Sequence, residues 1–310
     1  MIKFRILLIG SGGREHAIAR AIKRSKFQSE LIVFGTHENP GLLSLAFHYK
    51  ILDINNPFLI TDQIHEIIKS DGKMVDFAII GPEAPLEKGV SDALWEMHIP
   101  VIGPNAEHSQ IETSKYFARQ LLYQAGLESA SPKWIVFSDN DYETEAEDYS
   151  AISNHIENVC HNRCVIKADG LHGGKGVKIY DESDDTKNNF NDLEEVLDYC
   201  MECIAFDGRV LIEEKLDGEE FSLISFCDGY QLQHTPPVQD YKKVGENDTG
   251  CNTGGMGSII LNTKFPFLTD EDIQRAQQYN EIVFQELDSQ FRKCNKPETY
   301  YRGFLYGSFM

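Results

Sequence analysis

The chain has 310 residues, 41% of them hydrophobic, and a formal net charge of −20. That length supports two or three compact units with real cores, and the acidity argues against a broad nucleic-acid face, which needs clustered Lys and Arg. No apolar stretch is long enough to cross a bilayer and no signal-peptide pattern opens the chain, so a cytoplasmic protein without a membrane partner is expected.

Residues 4–9 read as a short apolar strand ending in Gly10-Ser11-Gly12-Gly13, after which residues 14–25 have helical spacing. Gly10 and Gly12 match a dinucleotide fingerprint, but Glu15 takes the third glycine position and no clear acid closes a second strand. What survives is a helix N-terminus with free backbone N–H groups, suited to one phosphate or a small polar ligand. Strands at 31–34 and 75–80, with helices at 58–69 and 86–97, predict a mostly parallel sheet covered on both faces. Gly81-Pro82-Glu83 sits at the carboxyl end of a central strand, where ligands lie in such sheets, so Glu83 is a candidate contact for a sugar hydroxyl or an amine. Residues 101–104 end this first unit.

A helix at 114–125, a strand at 133–137 and an acidic helix at 143–157 lead to the most telling segment, residues 165–180. Lys167 lies on an apolar run, Gly173, Gly174 and Gly176 surround Lys175, and a second apolar run follows. This is strand, loop, strand, with a backbone able to approach a polyphosphate and ammonium groups aimed at it. It is not a Walker loop, which needs Gly-Lys-Ser/Thr followed by a helix.

After a helix at 193–204, residues 210–216 and 221–226 read as adjacent strands turning at Asp217-Gly218, able to offer a hinge to adenine and a later carboxylate to ribose. Residues 237–257 read as a long polar loop in which Asp240, Lys242, Lys243, Asp248 and several glycines favour anion binding. Residues 304–310 read as a buried strand. The acidic runs at 139–148 and 181–185 read as solvated loops. The seven cysteines follow no regular spacing, so reduced thiols are expected. The Cys160/Cys164 and Cys200/Cys203 pairs read as packed or surface thiols rather than zinc ligands.

Six stretches then resemble one family: GSGGREHA at 10–17, GPEAPLEKGV at 81–90, SKYFAR at 114–119, IKADGLHGGKGV at 166–177, IEEKLDGEE at 212–220 and QDYKKVGENDTGCNTGGMG at 239–257. In order and content they are similar to the phosphoribosylamine–glycine ligases, ATP-grasp enzymes of purine biosynthesis. The resemblance implies an N-terminal open parallel-sheet domain that binds substrate (1–104) and an ATP-grasp domain (105–310). That second domain would hold an α+β lid at about 126–205 and a mixed-sheet unit incomplete at its C-terminus. It implies ligation of glycine to 5-phosphoribosylamine through glycyl phosphate, with ATP and Mg²⁺ or Mn²⁺ as cofactors, by a monomer or alternatively a homodimer.

The same resemblance implies that Lys115 and Lys167 bind and activate the ATP phosphates under a loop of Gly173, Gly174 and Gly176. Adenine would meet Glu213, Glu214 and Leu216, and ribose Glu220. The substrate side falls to Gly12, Gly13, Pro82, Glu83, Asp240, Lys242, Asp248, Thr253, Gly254, Gly255, Met256 and Gly257. His172 and Gly173, Lys243 and Cys251 depart from the family's usual residues. The family's metal ligands are expected beyond Met310, so a catalytically impaired nucleotide-binding remnant is the alternative reading. A nicotinamide-dependent dehydrogenase has only the 10–13 turn in its favour.

Overall fold

The computed structural model describes residues 3–139, 144–183, 189–246, 249–250, 252–261 and 264–310. The chain divides into two compact units, one of Met1–Gln110, Phe226–Gln233 and Leu287–Phe304, the other of Ile111–Ser225, His234–Glu286 and Leu305–Met310.

In the first unit, β1 (Lys3–Ile9), β2 (Gln28–Gly35), β3 (His48–Ile51), β4 (Phe77–Ile80) and β5 (Val101–Ile102) form a sheet in the order β3-β2-β1-β4-β5. Every pairing in it is parallel. Leu7 and Ile9 join a core cluster with Ile32, Phe34 and Ile80, whereas Ile6 and Leu8 join another with Leu31, Val33 and Ile79. Successive strand residues point to opposite faces, so an unbroken aliphatic run is what a strand covered on both sides requires. Truncating a side chain as enclosed as Leu7 to Ala should cost about 2–5 kcal/mol.

The connecting helices are α1 (Gly13–Arg24), α2 (Pro40–Leu45), α3 (Pro57–Asp71), α4 (Glu83–Glu87) and α5 (Val90–Glu96). Residues 86–97, expected as one helix, are therefore two, separated at Gly89, whose φ of 77° leaves the helical region. The chain turns from β1 to β2 and β3 on one side and to β4 and β5 on the other. The carboxyl ends of β1 and β4 thus flank the switch point where open α/β sheets bind ligands.

α6 (Ala106–Thr113) precedes α7 (Lys115–Gln124). In the second unit, β6 (Trp134–Ser138), β7 (Arg163–Ala168), β8 (Val177–Asp181) and β9 (Arg209–Glu214) form an antiparallel sheet in the order β6-β9-β7-β8. From α8 (Glu145–Asn158), Ile152 and Ile156 pack on it, as do Val196, Cys200 and Ile204 of α9 (Leu193–Asp207). A further sheet runs β11-β10-β12-β13, from β10 (Phe221–Asp228), β11 (Leu232–His234), β12 (Val238–Lys243) and β13 (Asn252–Ile260). β14 (Arg302–Phe309) pairs with β10, and α10 (Asp270–Phe291) lies between β13 and β14 in sequence.

Four expectations change. Residues 210–216 and 221–226 are not a hairpin, because β9 pairs with β6 and β7 while β10 belongs to the other sheet. Residues 237–257 are not one loop, since β12 and β13 pair antiparallel from Val238↔Ile260 to Lys243↔Asn252. The last segment is half-buried, with Leu305 inside and Phe304 and Tyr306 exposed. In the acidic runs, Asp148 and Asp181 are buried rather than solvated.

Cys164, Cys200 and Cys203 pack in the core of the four-stranded sheet. Among the described residues no group of three or more His, Cys, Asp or Glu could hold a metal ion, and no helix is long and apolar enough to cross a membrane.

Candidate functional site

In the first unit, the Gly10–Gly13 turn joins β1 to α1. Gly12 caps the helix, and its N–H donates to Glu15 Oε2 at 2.6 Å. The turn is thus not an open set of backbone donors, as the sequence suggested, because a buried carboxylate from the chain itself already takes one of them. A Cβ on Gly10 would lie 2.7 Å from the Glu15 side chain, and one on Gly81 only 1.9 Å from it, so both glycines are needed to seat Glu15. Gly13 has no atom near its Cβ position. Pro82 caps α4, and Glu83, the first residue of that helix, accepts from Arg14 at 3.2 Å while Arg14 also bonds Gly81 O. Gly12, Gly13, Pro82 and Glu83 therefore meet at the switch point.

In the second unit, α7 starts at Ser114, whose Oγ accepts from Phe117 N–H at 3.1 Å and donates to Asp169 at 3.0 Å. Asp169 also accepts from Tyr116 N–H at 3.1 Å, placing a carboxylate at the positive end of the helix. This ties the end of β7 to the start of α7 and brings the two lysines together. Lys115 Nζ donates to Gly170 O at 2.8 Å, and Lys167 Nζ to Glu213 Oε2 at 2.6 Å. Burial pushes both ammonium groups below the ordinary lysine value, with Asp169 opposing this for Lys115 and Glu213 for Lys167. Lys167 is near enough to Lys115 to disfavour its charge further. An anion brought to such a pair relieves both penalties.

The turn after β7 is built for close backbone approach. Gly170, Gly173 and Gly174 have φ of 66°, 58° and 81°, in the left-handed region where a side chain is strained. Lys175 N–H donates to His172 O, and His172 Nε2 lies 2.7 Å from Asp207 Oδ2 at the end of α9. A Cβ on Gly176 would sit 2.7 Å from that of His172, so the glycine leaves room for this histidine. On the other side, Gly174 approaches Thr253 O of β13.

Of the expected adenine and ribose residues, Glu213 and Glu214 end β9, and Leu216 and Glu220 follow it. Glu214 Oε1 accepts from Lys133 N–H at 2.9 Å, and Leu216 is exposed. The segment is braced by Lys215, which bonds buried Asp181 at 2.7 Å, and by the Arg163–Asp217 pair. Glu220 accepts from Ser308 Oγ at 2.7 Å and lies 3.9 Å from Lys242, which is equally far from Asp240. Thr253 Oγ1 donates to Lys242 O at 2.9 Å and accepts from Gly255 N–H, locking the β12–β13 bulge. Gly254, Met256 and Gly257 continue β13, with Met256 exposed. Asp248 lies outside the described residues, as does Cys251.

Two residues of the site escaped the sequence reading. Asp169 organises the start of α7, and Arg119 grips Glu213 with Nε at 2.7 Å from Oε1 and Nη2 at 2.9 Å from Oε2. Burial alone would raise the Glu213 carboxyl, but Arg119 and Lys167 hold it below the usual range. The signal for Arg119 was available: it follows Lys115 by four residues on one helix, hence on one face.

The chain matches the N-domain family model of phosphoribosylglycinamide synthetase over residues 4–112 and its ATP-grasp (A) domain over residues 113–310. It is 38% identical over 309 residues to the phosphoribosylamine–glycine ligase of Thermococcus gammatolerans, covering 99% of this chain and 63% of that protein. To the ligase of Methanosarcina barkeri it is 37% identical over 307 residues, covering 99% and 64%. The chain thus spans just under two thirds of the length of these relatives.

Among solved structures, the phosphoribosylamine–glycine ligase of Thermotoga maritima superposes with a TM-score of 0.69 at 24% identity, over 97% of this chain and 64% of that one. The N5-carboxyaminoimidazole synthetase of Staphylococcus aureus, solved with ADP, gives 0.65 at 15% identity, over 99% and 67%. These likenesses show the fold, a parallel-sheet domain followed by ATP-grasp sheets, and the two consecutive family matches over residues 4–310 place the chain in the phosphoribosylglycinamide synthetase family.

Proposed function

We propose that the protein uses ATP to join glycine to 5-phosphoribosylamine, giving glycinamide ribonucleotide, ADP and phosphate, in the cytoplasmic synthesis of purines. The observation that carries this reading is the pairing of Lys115 and Lys167 beside a glycine turn with left-handed backbone, at one end of the β6-β9-β7-β8 sheet. Two partly desolvated ammonium groups suit a polyphosphate, and the backbone of residues 170–176 can come close to one. The backbone of the hinge at Glu213, Glu214 and Leu216, with the Glu220 carboxylate, would take the nucleoside, the Glu213 side chain being buried against Arg119 and Lys167. We assign residues 1–104 to substrate binding, through Gly12, Gly13, Pro82 and Glu83, and residues 105–310 to the ATP-grasp part, with its lid at about 126–205. Asp240, Lys242, Asp248 and the 253–257 strand would serve the substrate from that part.

In this reading glycine's carboxylate takes the γ-phosphoryl group, and the amine of phosphoribosylamine then displaces phosphate from glycyl phosphate. The phosphoryl transfer spreads negative charge over its oxygens, so fixed cations lower the barrier more than a proton-transfer group would. Mg²⁺ or Mn²⁺ would supply further charge neutralisation at the phosphates. The residues of the glycine turn would keep water from the acyl phosphate until the amine arrives.

Phosphate release from ATP should require both glycine and phosphoribosylamine. ATP hydrolysis indifferent to glycine, in protein that binds the nucleotide, would reject the ligase reading.

A further inference from the structure

Lys167 meets a buried carboxylate, and that creates a difficulty for a phosphate ligand. Glu213 is 2% exposed on β9, hydrogen-bonded between β6 and β7 through Trp134 and Val165, so its side chain cannot swing into solvent. At 2.6 Å it forms a close ion pair with Lys167. A Lys–Glu pair has no net charge, and a phosphate would meet a dipole whose negative end is fixed by the sheet.

Arg119 changes that balance. Its guanidinium takes one carboxylate oxygen through Nε and the other through Nη2, at 2.7 and 2.9 Å, the two-point geometry that suits a planar fork. Both oxygens of Glu213 are then engaged, and the three side chains together carry one positive charge. Lys167 has three N–H donors and spends one on Glu213, which leaves two for another acceptor. The arrangement follows from the sequence, because Arg119 is one turn beyond Lys115 on α7 and the start of that helix is pinned by Ser114 and Asp169.

We propose that Arg119 is a positioning residue that cancels Glu213, so that Lys167, still oriented by the carboxylate, offers its charge to the phosphates of ATP. The inference rests on the nucleotide reading above and adds to it how the lysine keeps its effect in a nearly closed site.

The test is the dissociation constant of ATP with magnesium, by calorimetry, in parallel with the thermal midpoint of each protein. Arg119→Gln leaves a neutral Lys–Glu pair and should weaken binding about tenfold, the scale of one partly screened charge. Arg119→Lys keeps the charge without the fork and should stay within about threefold of the unaltered protein. The decisive variant is R119Q combined with E213Q, which removes both charges and restores the single positive charge of Lys167. It should recover binding to within about threefold, and it remains informative even if R119Q alone folds poorly.

Binding in the double variant weaker than in R119Q would overturn the proposal in favour of a packing role, and so would unchanged binding in a folded R119Q. An unaltered protein that binds no ATP would overturn both this inference and the ligase reading, whereas normal binding insensitive to R119Q sinks this one alone.

Discussion

The two glycine turns, at residues 10–13 and 170–176, are similar in composition and opposite in electrostatics. The first carries its own anion: Glu15 folds back into it, takes the Gly12 N–H and fills the space beside Gly10 and Gly81. The second has no carboxylate among its own residues and is approached by Lys115, with Lys167 at the strand end before it. Glycine richness therefore says that a backbone must come close to something. Whether that something is the protein's own side chain or a ligand is decided by the charge of the neighbours.

The comparison breaks most visibly at the lysines. Lys167→Ala should lower turnover by on the order of 10² to 10³, as for removal of one preorganised charge donor, with little loss of folding. Steady-state phosphate release with ATP, glycine and phosphoribosylamine measures it. Near-normal turnover would mean that the second turn, like the first, serves mainly the fold.

Buried titratable groups sharpen the contrast at the next scale. His108, in the first unit, lies between the rings of Phe291 and Tyr301, with Nδ1 2.7 Å from Asn105 Oδ1 and no hydrogen-bond partner for Nε2 among the described residues. Asn105 Oδ1 can only accept, so Nδ1 carries the proton and protonation would put a charge at the unpartnered Nε2. Burial, with Arg292 nearby, depresses this histidine to about 4. An unfolded histidine titrates near 6.5, so between those values the unfolded chain binds a proton that the folded one refuses. The contribution is complete above about pH 6.5 and is lost as pH falls to 4, amounting to about 3 kcal/mol. Urea unfolding at pH 7, 5.5 and 4.5 should show it, with His108→Gln flattening that part of the slope.

The sequence made the first unit legible because its strands are apolar runs buried on both faces, and Leu7 or Val33 have no other place to go. The β7–β8 hairpin was legible from two apolar runs around its glycines, with Lys167 standing out against Val165 and Ile166. β12 and β13 were not, since Asp240, Tyr241 and Lys242 are exposed and Gly254, Gly255 and Gly257 carry no side chains, so backbone pairing alone defines them. The false hairpin at 217–218 has a similar origin: a tight Asp-Gly turn is a local signal, whereas the pairing of β9 with β6 and β7 is long-range. In the site, the partners of Glu15 and Glu213, the Gly12 N–H for one and Arg119 and Lys167 for the other, were not legible, because burial and long-range packing set them and spacing does not.

Glu15 offers a smaller test of the first turn. Glu15→Ala removes the bond to Gly12 N–H at the start of α1, which should cost about 1–2 kcal/mol of stability. Denaturant unfolding should register the loss while ATP affinity stays unchanged. An altered ATP affinity without a stability cost would remove the distinction between the two turns.

The smallest expected effect separates conformation from packing within the second turn. Gly176→Ala would push a Cβ against His172, which is held by Asp207, whereas Gly173→Ala meets nothing within 4 Å but must adopt φ of 58°. Gly173 therefore reports backbone strain alone, worth about 1 kcal/mol and about fivefold if borne only by the nucleotide-bound form. If the strain is already present in the protein without nucleotide, the thermal midpoint of Gly173→Ala falls and its affinity for ATP with magnesium is nearly unchanged. If the turn reaches this conformation only around phosphates, the midpoint holds and affinity falls instead. Three glycines of this turn, Gly170, Gly173 and Gly174, share a left-handed φ, and a backbone whose shape is set by its own glycines favours the first outcome.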